Sequence, residues 1–302
     1  MMCAGALLAV LLAAAWPSTA QAWEDPCAAE GITPVAAANI DNSLWATILS
    51  THVKENRTLN GITANLVTYN VLREDPEPLR RYLQQFCNTD VESLPVHDAV
   101  ALLINLYNAL MMLMVVYFDP ASSVLQINNV WKVKLGTLNG KKVSLDNIEH
   151  DIVRKGLSKE AGVEGRAHAG FVCASLACPD LRPEPYEGTR LVEQLTEQTQ
   201  LWLENPTKNP GLVNGKLRLS MIFKWYRGDF VGESGSVPAF VESFSSLTGL
   251  NGVSVEHVNY DWNLNAVNGT ADWSHAGLGA LPARCGLLAI VAAAIALATA
   301  PH

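Results

Sequence analysis

Basic residues are scarce in this chain. Its 302 residues carry 21 Lys and Arg against 29 Asp and Glu, a formal net charge of −8. Proteins that hold nucleic acid present basic patches, so a nucleic-acid partner is excluded. Internal repeats and low-complexity tracts are absent as well, and the chain reads as ordinary globular sequence. Cysteine is sparse, six in all. His150, His168, Cys173 and Cys178 are residue types that zinc accepts, but their spacing is not that of a zinc ribbon or finger. No metal and no cofactor is expected. Positive charge is also missing at both ends. No Lys or Arg precedes the apolar run 4–16, and only Pro301 and His302 follow the apolar run 286–300. The second absence leaves nothing to hold a cytoplasmic side.

Those ends carry signals of their own. Residues 4–16 are followed by small residues and by Ala20-Gln21-Ala22, the pattern of a secretory signal peptide cleaved after a small-x-small triplet. The run is too short to span a bilayer comfortably. At the other end, small residues and a short spacer precede the apolar tail, the layout of a glycosylphosphatidylinositol attachment signal. Ser274 is the first choice for the lipid, with Gly277 and Asn268 as alternatives, and a short tail-anchor helix is the bland reading. Two sequons, at Asn56 and Asn268, suit the same compartment. The expected product is a glycoprotein on the extracellular face of the plasma membrane, held by a lipid anchor. Its partner is an unknown extracellular protein or a small substrate. The expected layout is a signal peptide over 1–22, one globular domain over 23–264, a linker with the attachment region over 265–285, and a removed tail over 286–302.

About 250 residues remain after trimming, enough for one large domain with an ample core. Four cysteines remain too: Cys27, Cys87, Cys173 and Cys178. An even number in an oxidising compartment favours pairing, and four allow three connectivities. The simplest joins Cys173 to Cys178 and Cys27 to Cys87.

Along the chain, residues 42–87 read as helical, with Leu44 and Ile48 on one face and Leu79, Tyr82 and Phe86 on another. Residues 99–118 are almost continuously apolar, as in a membrane span. Asn105 and Asn108 argue otherwise: they share one helix face, and an unpaired buried amide costs roughly 1–3 kcal/mol. The helix therefore belongs at the centre of a domain, with both amides bonded. Asn139-Gly140 and Asn214-Gly215 mark hairpins. Ser144 is placed to cap a helix over LDNIEHDIVRK that Gly156 would stop. RAHAGFV reads as a short buried strand, CASLACPDLRPEPY as a loop, and residues 188–205 as an amphipathic helix with Leu191, Leu195 and Leu203 inward. Helices and strands mix without regular alternation, which predicts an α+β fold: one compact domain with a central buried helix, a small sheet with hairpins and surrounding amphipathic helices.

INLYNAL, SLDNIEH, RAHAGFVCASLACPDL, LSMIFKWYRGDF and NYDWNLN occur in that order. Together they resemble the successive blocks of the family catalogued as domain of unknown function 547, over about residues 44–264. The family name assigns no chemistry. The resemblance departs at Leu102-Leu103, where members carry an aromatic-Trp pair, and at Ala169-Gly170-Phe171 after the histidine.

The loop after His168 supports two functional readings. In the first, Cys173–Cys178 is a disulfide that fixes the loop of a binding or scaffold domain, and His168 is a satisfied core histidine. In the second, a thiolate at Cys173 or Cys178 works with His168 as base in a hydrolase or acyl-transferase. Asn105, Asn108 or Glu149 would then orient the imidazole or donate to an oxyanion. On a strand, residues 168 and 173 point to opposite faces, which counts against the dyad unless the chain bends. Tyr107, Trp225 and Tyr226 read as packing residues. Asp229 and Asp261 read as caps or partners of Arg166 or Arg227, and Arg166 as a partner for Glu149. The first reading leads, with the thiol enzyme as the alternative.

Overall fold

The structure, a computed structural model, describes residues 25–28 and 35–267. The expected signal peptide, Asn268, Ser274 and the apolar tail lie outside them. The described residues form the α+β domain that the mixed pattern predicts. The chain runs through α1 (Ser43–His52), β1 (Val53–Leu59), β2 (Ile62–Val67), α2 (Tyr69–Glu74) and α3 (Glu77–Gln84) to the long α4 (Val96–Phe118). After β3 (Gly136–Leu138) and β4 (Lys141–Val143) come a π-helix (Asn147–Leu157), its short tail α5 (Ser158–Glu160), α6 (Ala167–Gly170) and α7 (Leu191–Leu203). The last part holds β5 (Gly211–Val213), β6 (Lys216–Leu219), α8 (Ile222–Trp225), α9 (Arg227–Ser234), α10 (Val237–Phe244) and β7 (Val255–His257). Three small sheets result: two antiparallel pairs, β1–β2 and β3–β4, and a third in which β6 pairs antiparallel with β5 and parallel with β7.

α4 organises the domain. It is apolar on every side, and a helix of that kind is stable only when covered on every side. Its most apolar stretch is long enough to cross a membrane, yet lies wholly inside the domain. It ends at Asp119, which turns left-handed (φ 50°) just before Pro120. Both asparagines are bonded as a buried amide requires. Asn105 donates to the Tyr186 carbonyl (2.8 Å) and accepts from the Tyr186 N–H (2.9 Å). Asn108 donates to the Gly170 carbonyl (2.9 Å) and accepts from the Val172 N–H (3.0 Å). The central helix thus grips the two segments that flank the cysteine loop.

The core has two main parts. One surrounds α4. The other is a stack of aromatic rings from α7 to α10, with Trp202, Phe223, Phe230 and Phe240 at its heart. α7 joins them, since Leu191 and Leu195 face the first and Trp202 and Leu203 the second.

Several local expectations are corrected. Residues 42–87 are not all helical, because 53–67 form a hairpin around Asn60-Gly61, where both residues take positive φ (52° and 77°). That dipeptide is the same turn signal that marks the other two hairpins. Ser144 does cap the next helix, its Oγ accepting from the Asn147 N–H (3.2 Å). The helix is wound as a π-helix, however, with the Ser158 N–H bonding to the Val153 carbonyl five residues back. Gly156 does not stop it. The chain turns at Gly162, where φ is +67°. RAHAGFV is not a strand either. Ala167 N–H bonds to the Val163 carbonyl and Phe171 N–H to Ala167, and these close the helical turn of α6. All four α6 residues are buried, so no alternation of faces exists to read. The domain also runs past Leu264. Asn265 pairs with Val67 and Ala174 through its backbone, and Ala266 is buried.

Candidate active site

Cys27 and Cys87 form the expected disulfide, with their Cα atoms 5.6 Å apart. Cys173 and Cys178 do not: both are free thiols. The expected loop disulfide is therefore corrected, and the reason lies in what each sulfur already does. Cys178 Sγ is buried and accepts the Cys173 backbone N–H (3.0 Å). Cys173 Sγ points to the Ser175 Oγ (3.0 Å) and the Tyr260 hydroxyl (3.3 Å). Between them Ala174 is fully buried and left-handed at φ 57°, a conformation that costs an L-residue roughly 1–2 kcal/mol. Such strain persists only where the surroundings over-determine it, and here they do. The Ala174 carbonyl accepts from Asn265 N–H (3.0 Å), Leu176 N–H donates to Asn263 (2.8 Å), and buried Lys208 donates to the Cys178 carbonyl and to Asp180 (2.7 Å each).

Cys173 opens onto a cleft of about 440 Å³, counting its open mouth, at the seam between the two core clusters. Its inner wall carries Tyr107, Glu149, His168 and Cys178, and its mouth Trp131, Trp225, Tyr226, Tyr260 and Trp262. The mouth rings are half-buried and packed on one another: Trp225 stacks on Trp262 (5.6 Å between centroids), and Tyr260 lies 4.5 Å from Trp262. Trp225 and Tyr226, read from sequence as packing residues, thus face the cleft. Among the described residues no Lys or Arg lines it.

His168 is 3% exposed and stacks on Tyr226 at 4.3 Å. Its Nε2 lies 2.7 Å from Asp229 Oδ2, and its Nδ1 is 4.0 Å from Glu149 Oε1. Asp229 is clamped in turn by Arg154, through Nε (2.6 Å) and Nη2 (3.2 Å). Among the described residues no hydrogen bond joins His168 to either thiol. The Cys–His dyad expected from sequence is not made. Burial pushes the His168 pKa down despite its carboxylate partner, so the neutral ring carries its proton on Nε2, an assignment taken from the Asp229 bond. For Asp229, burial works upward, but His168 and Arg154 outweigh it and hold the carboxyl at about 2. Burial raises the Glu149 carboxyl, with His150, Arg154 and Tyr107 partly offsetting it. Cys173 goes the other way. Burial opposes its ionisation, but hydrogen bonds from Cys178, Ser175 and Tyr260 outweigh that and bring the thiol down to about 7. Cys178 is raised well above its ordinary value, first by burial and then by Cys173 beside it.

Other expected roles change. Asn105 and Asn108 do not line the cleft; their amides are used up on backbone, so they position the loop and touch no substrate. Arg166 pairs with Glu233 (2.6 Å) rather than Glu149. Asp229 serves Arg154 and His168 rather than Arg166 or Arg227. Asp261 caps the Asn263 N–H (2.8 Å). His150 accepts from Arg154 Nη1 (2.7 Å). Asn56 is exposed at an irregular point of β1, with φ 51°. Sequence reasoning missed Tyr260 and Arg154. Nothing in their spacing signals them, because Tyr260 meets the loop from 87 positions downstream.

Residues 91–203 match the family model described as "Protein of unknown function, DUF547". This supports the resemblance drawn from the sequence, over a shorter span. The matched segment contains Tyr107, Glu149, His168, Cys173 and Cys178. Trp225, Tyr226, Asp229 and Tyr260 lie beyond it. No curated protein and no solved structure matches the chain.

Proposed function

We propose that this protein is a thiol-dependent hydrolase or acyl-transferase with Cys173 as nucleophile. One observation carries the reading: a free thiol, held by Ser175 and Tyr260 and brought down to about 7, opens onto a cleft that also presents a buried carboxyl. A thiolate at neutral pH is what nucleophilic catalysis by cysteine needs. It attacks an acyl carbon, the C–S bond forms, and the leaving group departs with a proton. As charge moves from sulfur to the acyl oxygen, the Ser175 and Tyr260 hydroxyls are the nearest donors to receive it. The binding reading rested on a disulfide-fixed loop, and the hydrogen bonds of Ala174, Leu176 and Lys208 fix that loop without one.

The test is acylation. Protein incubated with p-nitrophenyl acetate should give a burst of p-nitrophenol and a single acetyl group on the peptide holding Cys173, found by mass spectrometry. Cys173→Ser should abolish both. Acetylation spread over lysines, with Cys173 unmodified, would overturn the reading.

Export, glycosylation and lipid anchoring belong to the same proposal. The Cys27–Cys87 bridge and the exposed Asn56 sequon support an oxidising, glycosylating compartment. Release from cells by a phosphatidylinositol-specific phospholipase is the expected outcome, and retention would count against the anchor.

A further inference from the structure

We propose that Glu149, and not His168, is the acid–base residue that serves Cys173. The inference rests on the thiol reading of the cleft and assigns its missing proton carrier. A leaving group with a high pKa departs only if something protonates it. Few titratable groups line the cleft, namely Glu149, His168, Cys178 and the hydroxyls of Tyr107, Tyr226 and Tyr260. Burial raises each of those hydroxyls far from neutrality, along with the Cys178 thiol. His168 is committed elsewhere. Its Nε2–H is bound to Asp229 at 2.7 Å and its Nδ1 lone pair looks toward Glu149. Glu149, on the cleft wall with its carboxyl raised by burial, is therefore the group left to carry the proton.

The surroundings of Glu149 fit the role. It is 5% exposed and lies on the inner wall of the cleft. Asp146, His150 and Arg154 approach it from its own helix, Tyr107 from α4, His168 from α6, and Tyr226 from the turn between α8 and α9. The Tyr107 and Tyr226 hydroxyls feel the charges of both Glu149 and Cys173, and all four residues line the same cleft. Arg154, the guanidinium whose charge reaches Glu149, is bound twice to Asp229. A cationic His168 would draw the proton off Glu149. Asp229 fixes the Nε2–H tautomer, while Arg154 and burial keep the ring neutral, so His168 is a positioning residue. Glu149 lies on the π-helix, a winding that recurs at functional sites.

The cycle balances. The Cys173 thiolate attacks the acyl carbon, and a C–S bond forms. The bond to the leaving group breaks, and the leaving atom takes the Glu149 proton. Glu149 is then a carboxylate. Water attacks the thioester, Glu149 takes a proton from it, a C–O bond forms, and the C–S bond breaks. The acid product leaves, and Cys173 is again a thiolate beside a protonated Glu149.

The experiment compares wild type and Glu149→Gln on aryl acetates whose leaving groups rise in pKa from p-nitrophenol to p-methoxyphenol. The readout is the rate of acetyl transfer to Cys173. p-Nitrophenolate leaves without a proton, so Glu149→Gln should lose less than about threefold there. The loss should grow along the series toward about 10²-fold, the lower end of what general acids supply. The iodoacetamide rate of Cys173 should stay within about twofold, which a collapsed site would not allow. Equal loss along the series, or none, overturns the proposal. Should the variant not fold, wild type decides. Its dependence on leaving-group pKa should be shallow at low pH and steepen as Glu149 ionises, and a slope constant with pH overturns the proposal. Absence of wild-type acetylation on any ester sinks the thiol reading itself, and this inference with it.

Discussion

Tyr260→Phe is the sharpest probe of the thiolate cradle. The hydroxyl lies 3.3 Å from Cys173 Sγ and 3.3 Å from Ser175 Oγ. The ring packs on Trp225 at 5.0 Å and Trp262 at 4.5 Å, and phenylalanine keeps those contacts. A hydrogen bond to a charged group contributes roughly 1.5–3 kcal/mol, and one pKa unit corresponds to about 1.4 kcal/mol. Losing one of several donors should raise the thiol from about 7 by roughly one unit. Ser175→Ala should do the same, and the double variant should reach roughly two units. The assay is the initial rate of iodoacetamide alkylation against pH, read on the Cys173 peptide. A one-unit rise lowers the thiolate fraction at pH 7 about fivefold, while each thiolate becomes about threefold more nucleophilic. The rate at pH 7 then falls only about twofold, so the midpoint is the informative quantity. Midpoints near 7 in both single variants would refute the account of Cys173 as a thiol lowered by these hydroxyls.

Three further perturbations have calculable outcomes. Asp229 is held at about 2 against an ordinary 3.8, so its contribution to stability is complete above about pH 5 and is lost as pH falls from about 4 to 2. Asp229→Asn should remove roughly 2–3 kcal/mol of that acid dependence, measured by urea unfolding from pH 2 to 6. Asn108→Leu strips partners from the buried Gly170 carbonyl and Val172 N–H. It should cost roughly 2–5 kcal/mol, seen as a lower Tm, and should slow Cys173 alkylation because Val172 adjoins it. Lys208→Met leaves Asp180 and the Cys178 carbonyl without their buried cation. The expected loss is about 3–5 kcal/mol by chemical denaturation, against less than about 0.5 kcal/mol for a control at exposed Lys155.

The fold was legible wherever one local rule decided the outcome. The central helix followed from an apolar run carrying two asparagines, because buried amides demand backbone partners. Asn139-Gly140 and Asn214-Gly215 gave their hairpins, since each residue of the pair accepts positive φ. Asn60-Gly61 carried the same signal but was overridden by the helical spacing on either side of it. RAHAGFV was misread because α6 is buried on all sides, and periodicity then has nothing to report. The site was legible only in part. His168, Glu149 and Cys173 stood out by residue type. Their connections did not, since Asp229 meets His168 from 61 positions away, Arg154 meets Asp229 from 75, and Tyr260 meets Cys173 from 87. Parity along a presumed strand argued against a 168–173 dyad, and no such dyad forms, although the strand itself does not exist.

The loop disulfide shows how a compartment argument can fail locally. Four cysteines in an oxidising setting favour two bridges, and Cys27–Cys87 obeys that preference. At Cys173 and Cys178 the chain is shaped by other forces. A left-handed alanine sits between them, and its strain requires external support. That support comes from residues 263–265, from Lys208, and from Cys178 acting as an acceptor for the Cys173 N–H. Bridging the sulfurs would take Cys178 from that N–H and Cys173 from its two hydroxyl partners. Cys178 belongs to both arrangements: it accepts the Cys173 N–H that helps hold the loop, and with Ser175 and Tyr260 it helps keep Cys173 ionisable. A binding domain whose loop needed only rigidity would have no use for a strained residue beside a free, lowered thiol. A nucleophile that must be held at the floor of a cleft with its charge stabilised before substrate arrives does.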